Sequence, residues 1–241
     1  MINELLLLSK NDIPFIEAQV NIHQPTIKEI SLIGEESFFI GCQFLNFDKK
    51  QLNEEDNEKL KDKNNFEILM ILMHNSEQKK YKNSAIDVLT LLFPDYEVKL
   101  ESNEIILLGS SGIVRLNGSN YEKFKEILIT MFCLDDSKSS SQTYNPADAR
   151  AAKIAEKFKK AKMKKSGGKP QKIAIFSRYI SILSVGLQKD MNKLLEYSVY
   201  QLKDEFLRYQ KKLDFDMYMR AKMFGAKNLD EIDNWMDDIH S

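Results

Sequence analysis

The stretch AEKFKKAKMKKSGGKPQK, from Ala155 to Lys172, limits how this chain can fold more than any other feature. With the Ser-rich run before it, residues 137–172 hold 11 Lys and Arg against 2 Asp and Glu. A run so basic, closed by Ser166-Gly167-Gly168, reads as a connector and not as core. The net charge of -1 conceals the segregation: residues 1–136 carry 14 basic against 23 acidic side chains, and residues 173–241 carry 10 against 11. The sequence therefore predicts an acidic α+β domain over 1–136, a flexible and basic helical linker over 137–172, and an all-helical domain over 173–241. Such a linker can fold back on the acidic domain or hold a separate acidic partner.

The hydrophobic share of 43% supports a real core, and the few Gly and Pro favour a helix-rich chain. In the first part, Thr26 with Glu29 three residues on has the form of a capping box, followed by Ile27, Ile30 and Ile33 at helical spacing. Gly34 ends or bends that helix, and Glu35 to Phe44 resumes it. Phe15 to Ile22 reads as a short strand or extended lead-in, and Asp48 to Lys63 as a solvated loop or exposed helix. The run FEILMILM, Phe66 to Met73, favours a helix through its Leu and Met content. A further helix is expected from Ser84, as its cap, to Phe93, just before Pro94. YEVKLESNEIILLGSSGIVRL contains three short β-rich runs divided by Ser-Asn and by Gly-Ser-Ser-Gly, which predicts a small antiparallel sheet. A helix from Tyr121 to Phe132 closes this part.

Beyond the linker, whose basic helix starts at Asn145-Pro146, helices are expected at Ile173 to Val185 and after Ser198, where Gln201 completes a second capping box. Val199, Leu202, Phe206, Tyr209, Leu213 and Met217 follow at spacings of three and four, a heptad-like seam. Such a seam is core or a partner-binding groove, and Phe206 and Tyr209 are its candidate contact residues. Asn228 with Glu231 predicts a last helix, NLDEIDNWMDDIH. On it Trp235 and Ile232, beside Asp237 and Asp238, make a second candidate partner surface. The alternative is that this face docks on the preceding helix.

Chemistry-bearing patterns are few. His23, His74 and His240 have no Cys at ligand spacing, so no metal is expected, and Cys42 and Cys133 read as buried thiols. The sequence has no GxxxxGK[ST], GxGxxG or GxSxG pattern. Carboxylate pairs such as Glu35-Glu36 read as solvated surface. Nothing argues for an enzyme or a cofactor. No apolar run approaches the roughly 18 residues of a membrane span, and the short Met1 to Leu8 run, with Glu4 inside it, does not read as a signal peptide. Lys157, Lys159, Lys160, Lys162, Lys164 and Lys165 suit phosphate contacts, which makes nucleic acid an alternative partner. Against it, this run lacks Arg and holds one aromatic residue, Phe158.

Three stretches together carry a resemblance: HQPTIKEISLIGEESFF, SRYISILSVGL, and LLEYSVYQLKDEFLRYQKKLDFDMYMRAKMFGAKNLDEIDNWMDDIH. The chain resembles a family of conserved proteins from the tail-morphogenesis modules of bacteriophages and prophages of low-GC Gram-positive bacteria. The last stretch is the specific one, and residues 46–140 match none of its motifs. The resemblance implies a non-catalytic, chaperone-like tail assembly protein of the host bacterial cytoplasm. Its implied partners are tape-measure and tail tube proteins, with self-association also open. A minor virion structural subunit is the further alternative.

Overall fold

The computed structural model describes residues 2–51, 60–75, 78–110, 112–134, 174–225, 232 and 234–237. The fold is α+β: among the described residues there are two small antiparallel sheets in the N-terminal part, and the regular elements after residue 174 are helices. Helix α1 (Glu4–Leu8) is capped by Asn3, whose side chain accepts from the Leu5 N–H. The stretch expected as a short strand or extended lead-in belongs to a tight pair, β1 (Ile13–Phe15) and β2 (Val20–Ile22), joined by a 3-10 turn that closes at Gln19 with φ 54°. Its buried side chains, Ile13, Phe15 and Ile22, enter the core.

Helix α2 (Ile27–Ile33) starts at the expected capping box: Thr26 Oγ1 accepts from the Glu29 N–H at 3.1 Å, and Glu29 accepts from the Thr26 N–H at 2.7 Å. Gly34, at φ 87°, turns the chain into α3 (Glu35–Leu45). The apolar run is helical, α4 (Asn65–His74), and has a capping box of its own from Asn64 and Glu67.

Helix α5 (Lys79–Leu92) corrects one expectation. Ser84 lies inside it, not at its start, and is buried against α3. The reason is a close helix crossing. A Cβ on Gly41 would overlap the Ser84 carbonyl, so position 41 needs glycine, and the Ser84 hydroxyl is hydrogen-bonded to that of Ser37 at 3.0 Å. Strands β3 (Tyr96–Leu100), β4 (Ile105–Gly109) and β5 (Gly112–Leu116) form the expected antiparallel meander, with Tyr96 opposite Gly109 and Ile105 opposite Leu116. Helix α6 (Tyr121–Phe132) covers the core, and its Tyr121 hydroxyl donates to the Leu45 carbonyl at 2.6 Å.

After residue 174 come α7 (Ile175–Leu187), α8 (Met191–Leu195) and the 25-residue α9 (Val199–Met223). The Ser198–Gln201 capping box opens α9 as expected. The two parts expected as domains, 1–136 and 173–241, are in direct contact. Residues 1–134 and 174–241 cluster as one compact unit. The cause is apolar. Phe38 on α3 meets Phe132 edge-on at 4.9 Å and Phe176 on α7 at 5.8 Å, so one aromatic cluster spans both halves. Backbone pairing adds to it, because the Ile27 N–H donates to the Tyr197 carbonyl at 2.9 Å and Thr26 bridges Ser198.

Candidate binding cleft

Helix α9 places the site. Its seam residues Val199, Leu202, Phe206 and Tyr209 hold the first half of the helix on the core, Val199 and Leu202 fully buried and the two aromatics half-buried. Phe206 stacks flat on Tyr179 of α7, with ring centroids 3.8 Å apart and planes 11° from parallel. Tyr209 reaches across to α7 at Gly186, where a Cβ would overlap the phenol ring. The missing side chain lets the ring approach the α7 backbone.

Beside this seam runs a polar stripe, Gln201, Glu205, Arg208 and Lys212, one helical turn apart from one another. Stripe and seam border an open cleft of about 520 Å³, lined also by Leu8, Leu187, Lys189, Tyr197, Asp204 and Trp235. Its polar groups are already paired. Lys189 Nζ binds Glu205 and donates to the Tyr197 hydroxyl at 3.0 Å. Burial opposes the Lys189 charge, but these bonds outweigh it and hold its ammonium above the ordinary value. Gln201 donates to the Leu8 carbonyl at 2.6 Å. Arg208 donates to the carbonyls of Trp235 at 2.9 Å and Asp237 at 2.6 Å, and Lys212 lies 5.9 Å from the centre of the indole ring. The arrangement suits recognition: apolar walls supply burial, and fixed donors and acceptors orient whatever enters.

The expected terminal helix is not found at its described residues. Asn234 to Asp237 form a turn: the Asn234 carbonyl accepts from the Asp237 N–H at 2.9 Å, its side chain accepts from the Met236 N–H at 3.1 Å, and Asp237 accepts from the Asn234 N–H at 3.1 Å. Local side-chain bonds of this kind compete with helix, and carboxylates at its end would oppose the helix dipole. Trp235 thus reaches the cleft on a turn held by Arg208. Of the other candidates, Tyr209 lines the cleft, Phe206 stacks behind it, and Ile232 and Asp237 lie outside it. Asp238 and the basic residues Lys157, Lys159, Lys160, Lys162, Lys164 and Lys165 lie outside the described residues.

Sequence reasoning did not single out Lys189, Glu205, Arg208 or Lys212. The signal was present as acids and bases at helical spacing beside an aromatic seam. Among the described residues no cluster of His, Cys, Asp and Glu could hold a metal ion, and no helix is long and apolar enough to cross a membrane. Both cysteines are free. Cys42 is fully buried, which pushes its thiol well above the ordinary value, while Cys133 is only half-buried.

Residues 162–240 match the family described as YomV second domain. The match fits a phage-related protein. It contains SRYISILSVGL and the long C-terminal stretch that carry the resemblance seen in the sequence. No curated protein and no solved structure matches the chain.

Proposed function

We propose that this phage-related protein is a non-catalytic tail assembly factor. It acts in the host bacterial cytoplasm as a chaperone-like binder of tape-measure or tail tube protein, and the α7–α9 cleft is its binding site. One observation carries the reading. Every residue lining the cleft except Leu8 falls within 162–240, the range that matches the YomV second domain. The cleft's chemistry is consistent with this, since its charged groups are engaged with neighbours or backbone and none is poised on a reacting atom. An amphipathic segment can lay apolar side chains against Leu8, Leu187 and Tyr209 while its polar side meets Arg208 and Lys212.

The test is co-purification from infected cells with tagged wild type and with Trp235→Ala, beside the protein composition of purified particles. Tape-measure or tube protein should accompany the wild type, fall away with the folded variant, and leave this chain absent from mature particles. A chain present in mature particles in fixed ratio would make it a structural subunit. Failure of any tail protein to co-purify would overturn the reading.

A further inference from the structure

Beyond Tyr209 the seam of α9 continues, and its apolar positions are exposed among the described residues. Leu213 is 43% exposed and Met223 is 83% exposed, and Asp216 and Arg220 lie between them. These four recur at spacings of three and four, so they share one face of the helix. Met217 and Met219 flank that face and are themselves exposed. Among the described residues neither Asp216 nor Arg220 makes an ion pair. A helix that presents Leu, Asp, Arg and Met in this order on an open face has a self-complementary pattern.

We infer that the end of α9 is a homodimer seam, in which a second copy of this chain packs antiparallel at the level of Tyr218. In that register Leu213 of one copy meets Met223 of the other, and Asp216 meets Arg220, each contact occurring twice about the two-fold axis. Antiparallel coiled coils pair their two seam positions in this crossed way. The charged layer selects the orientation: a parallel pair would set Asp216 on Asp216 and Arg220 on Arg220, which repels. The symmetric contact is self-closing, as a two-fold interface must be. The contact spans residues 213–223, so it buries less than the ~800 Å² per partner of a standard interface. The dimer is accordingly reversible and concentration-dependent. It sets two clefts in one particle, which raises avidity for a partner with repeated sites. The inference does not depend on what the cleft binds.

Sedimentation equilibrium of the full chain, with Asp216→Arg, Arg220→Asp and their one-to-one mixture, tests it. Wild type should pass from monomer to dimer with concentration. Each single variant should stay monomeric, because both crossed pairs then oppose like charges, two cations in the first variant and two carboxylates in the second. The mixture should recover the dimer, since a cationic face then meets an acidic one. A pair made only within one helix cannot be restored by mixing. Circular dichroism confirms that the variants are folded, and the double variant Asp216→Arg/Arg220→Asp should dimerise alone. A monomeric wild type, dimeric single variants, or a mixture that stays monomeric would each overturn the seam.

Discussion

The two halves of α9 share a pattern and differ in fate. From Val199 to Tyr209 the apolar positions bury Leu202 completely and stack Phe206 on Tyr179. From Gln210 to Met223 the same spacing continues, yet Met217 is 62% exposed. The difference comes from what lies opposite. The first half faces α7, held on the core by Phe176, whereas the second half extends past the end of α7 at Leu187. Periodicity records that a helix has an apolar face. Only the neighbours decide whether that face is core or interface.

Shortening one apolar side chain in each half of α9 separates core from interface. Leu202→Ala removes a fully buried side chain and should cost about 2–5 kcal/mol. Met217→Ala, on the exposed half, should change the stability of the isolated chain by less than about 0.5 kcal/mol. Urea unfolding of both at low protein concentration, where association does not contribute, measures the contrast. Equal losses would mean that the second half is also covered.

Phe206→Ala lies at the border. A fully buried Phe→Ala costs about 3–5 kcal/mol, but Phe206 is only half-buried, so a loss of about 2–3 kcal/mol is expected, including its stacking on Tyr179. Gly186→Ala should act less strongly. Alanine favours a helix over glycine by about 1 kcal/mol, but the new methyl overlaps the Tyr209 ring, and overpacking costs about 1–3 kcal/mol. The overlap reaches Cζ and Cε1 as well as the hydroxyl, so the whole ring must shift off α7, and the clash outweighs the propensity. The net loss should be about 1 kcal/mol, read by thermal melts, with the cleft wall displaced. A stabilised variant would show that Tyr209 moves aside freely.

Local signals carried much of this fold into the sequence. The Thr26 and Ser198 capping boxes, the three-strand meander and the helix at Tyr121 were legible because each rests on residues close together in the chain. Ser84 misled for the same reason: as an isolated Ser it has the chemistry of a cap, and only the approach of Gly41 on a distant helix explains its burial. The basic run suggested a boundary between two domains, yet Phe38 and Phe176, 138 positions apart, lie in one cluster. No local pattern reports such a contact. In the candidate site, Tyr209 and Trp235 were identified by type, but the turn that carries Trp235 and the Arg208 that holds it were not. Both depend on the chain returning to a helix it left at Gly225.

The anchored end of α9 offers the smallest and most selective test. Its first turn is joined back to back with that of α2, through the Thr26–Ser198 bridge and the Ile27–Tyr197 bond. Glu29 holds the α2 side, accepting from the Thr26 N–H and hydroxyl, with His23 Nε2 3.5 Å away. Burial by itself would raise the Glu29 carboxyl, but the Thr26 bonds and the nearby His23 outweigh it and hold it below the ordinary carboxylate value. A lowered folded value means that the charged carboxylate is stabilising. That contribution is complete above the ordinary, unfolded-state value and is lost as pH falls through the lowered folded one. Glu29→Gln keeps a side-chain acceptor for the capping box and removes the charge. At neutral pH the variant should lose less than about 1 kcal/mol, since the side chain is only partly buried, at 42% exposed, and its charge is screened. Its melting temperature should then converge on that of wild type as the medium is acidified through the carboxylate range. A gap between the two that stays constant from neutral to acid pH would show that Glu29 acts through shape alone, and that the anchor of α9 has no electrostatic part at this residue.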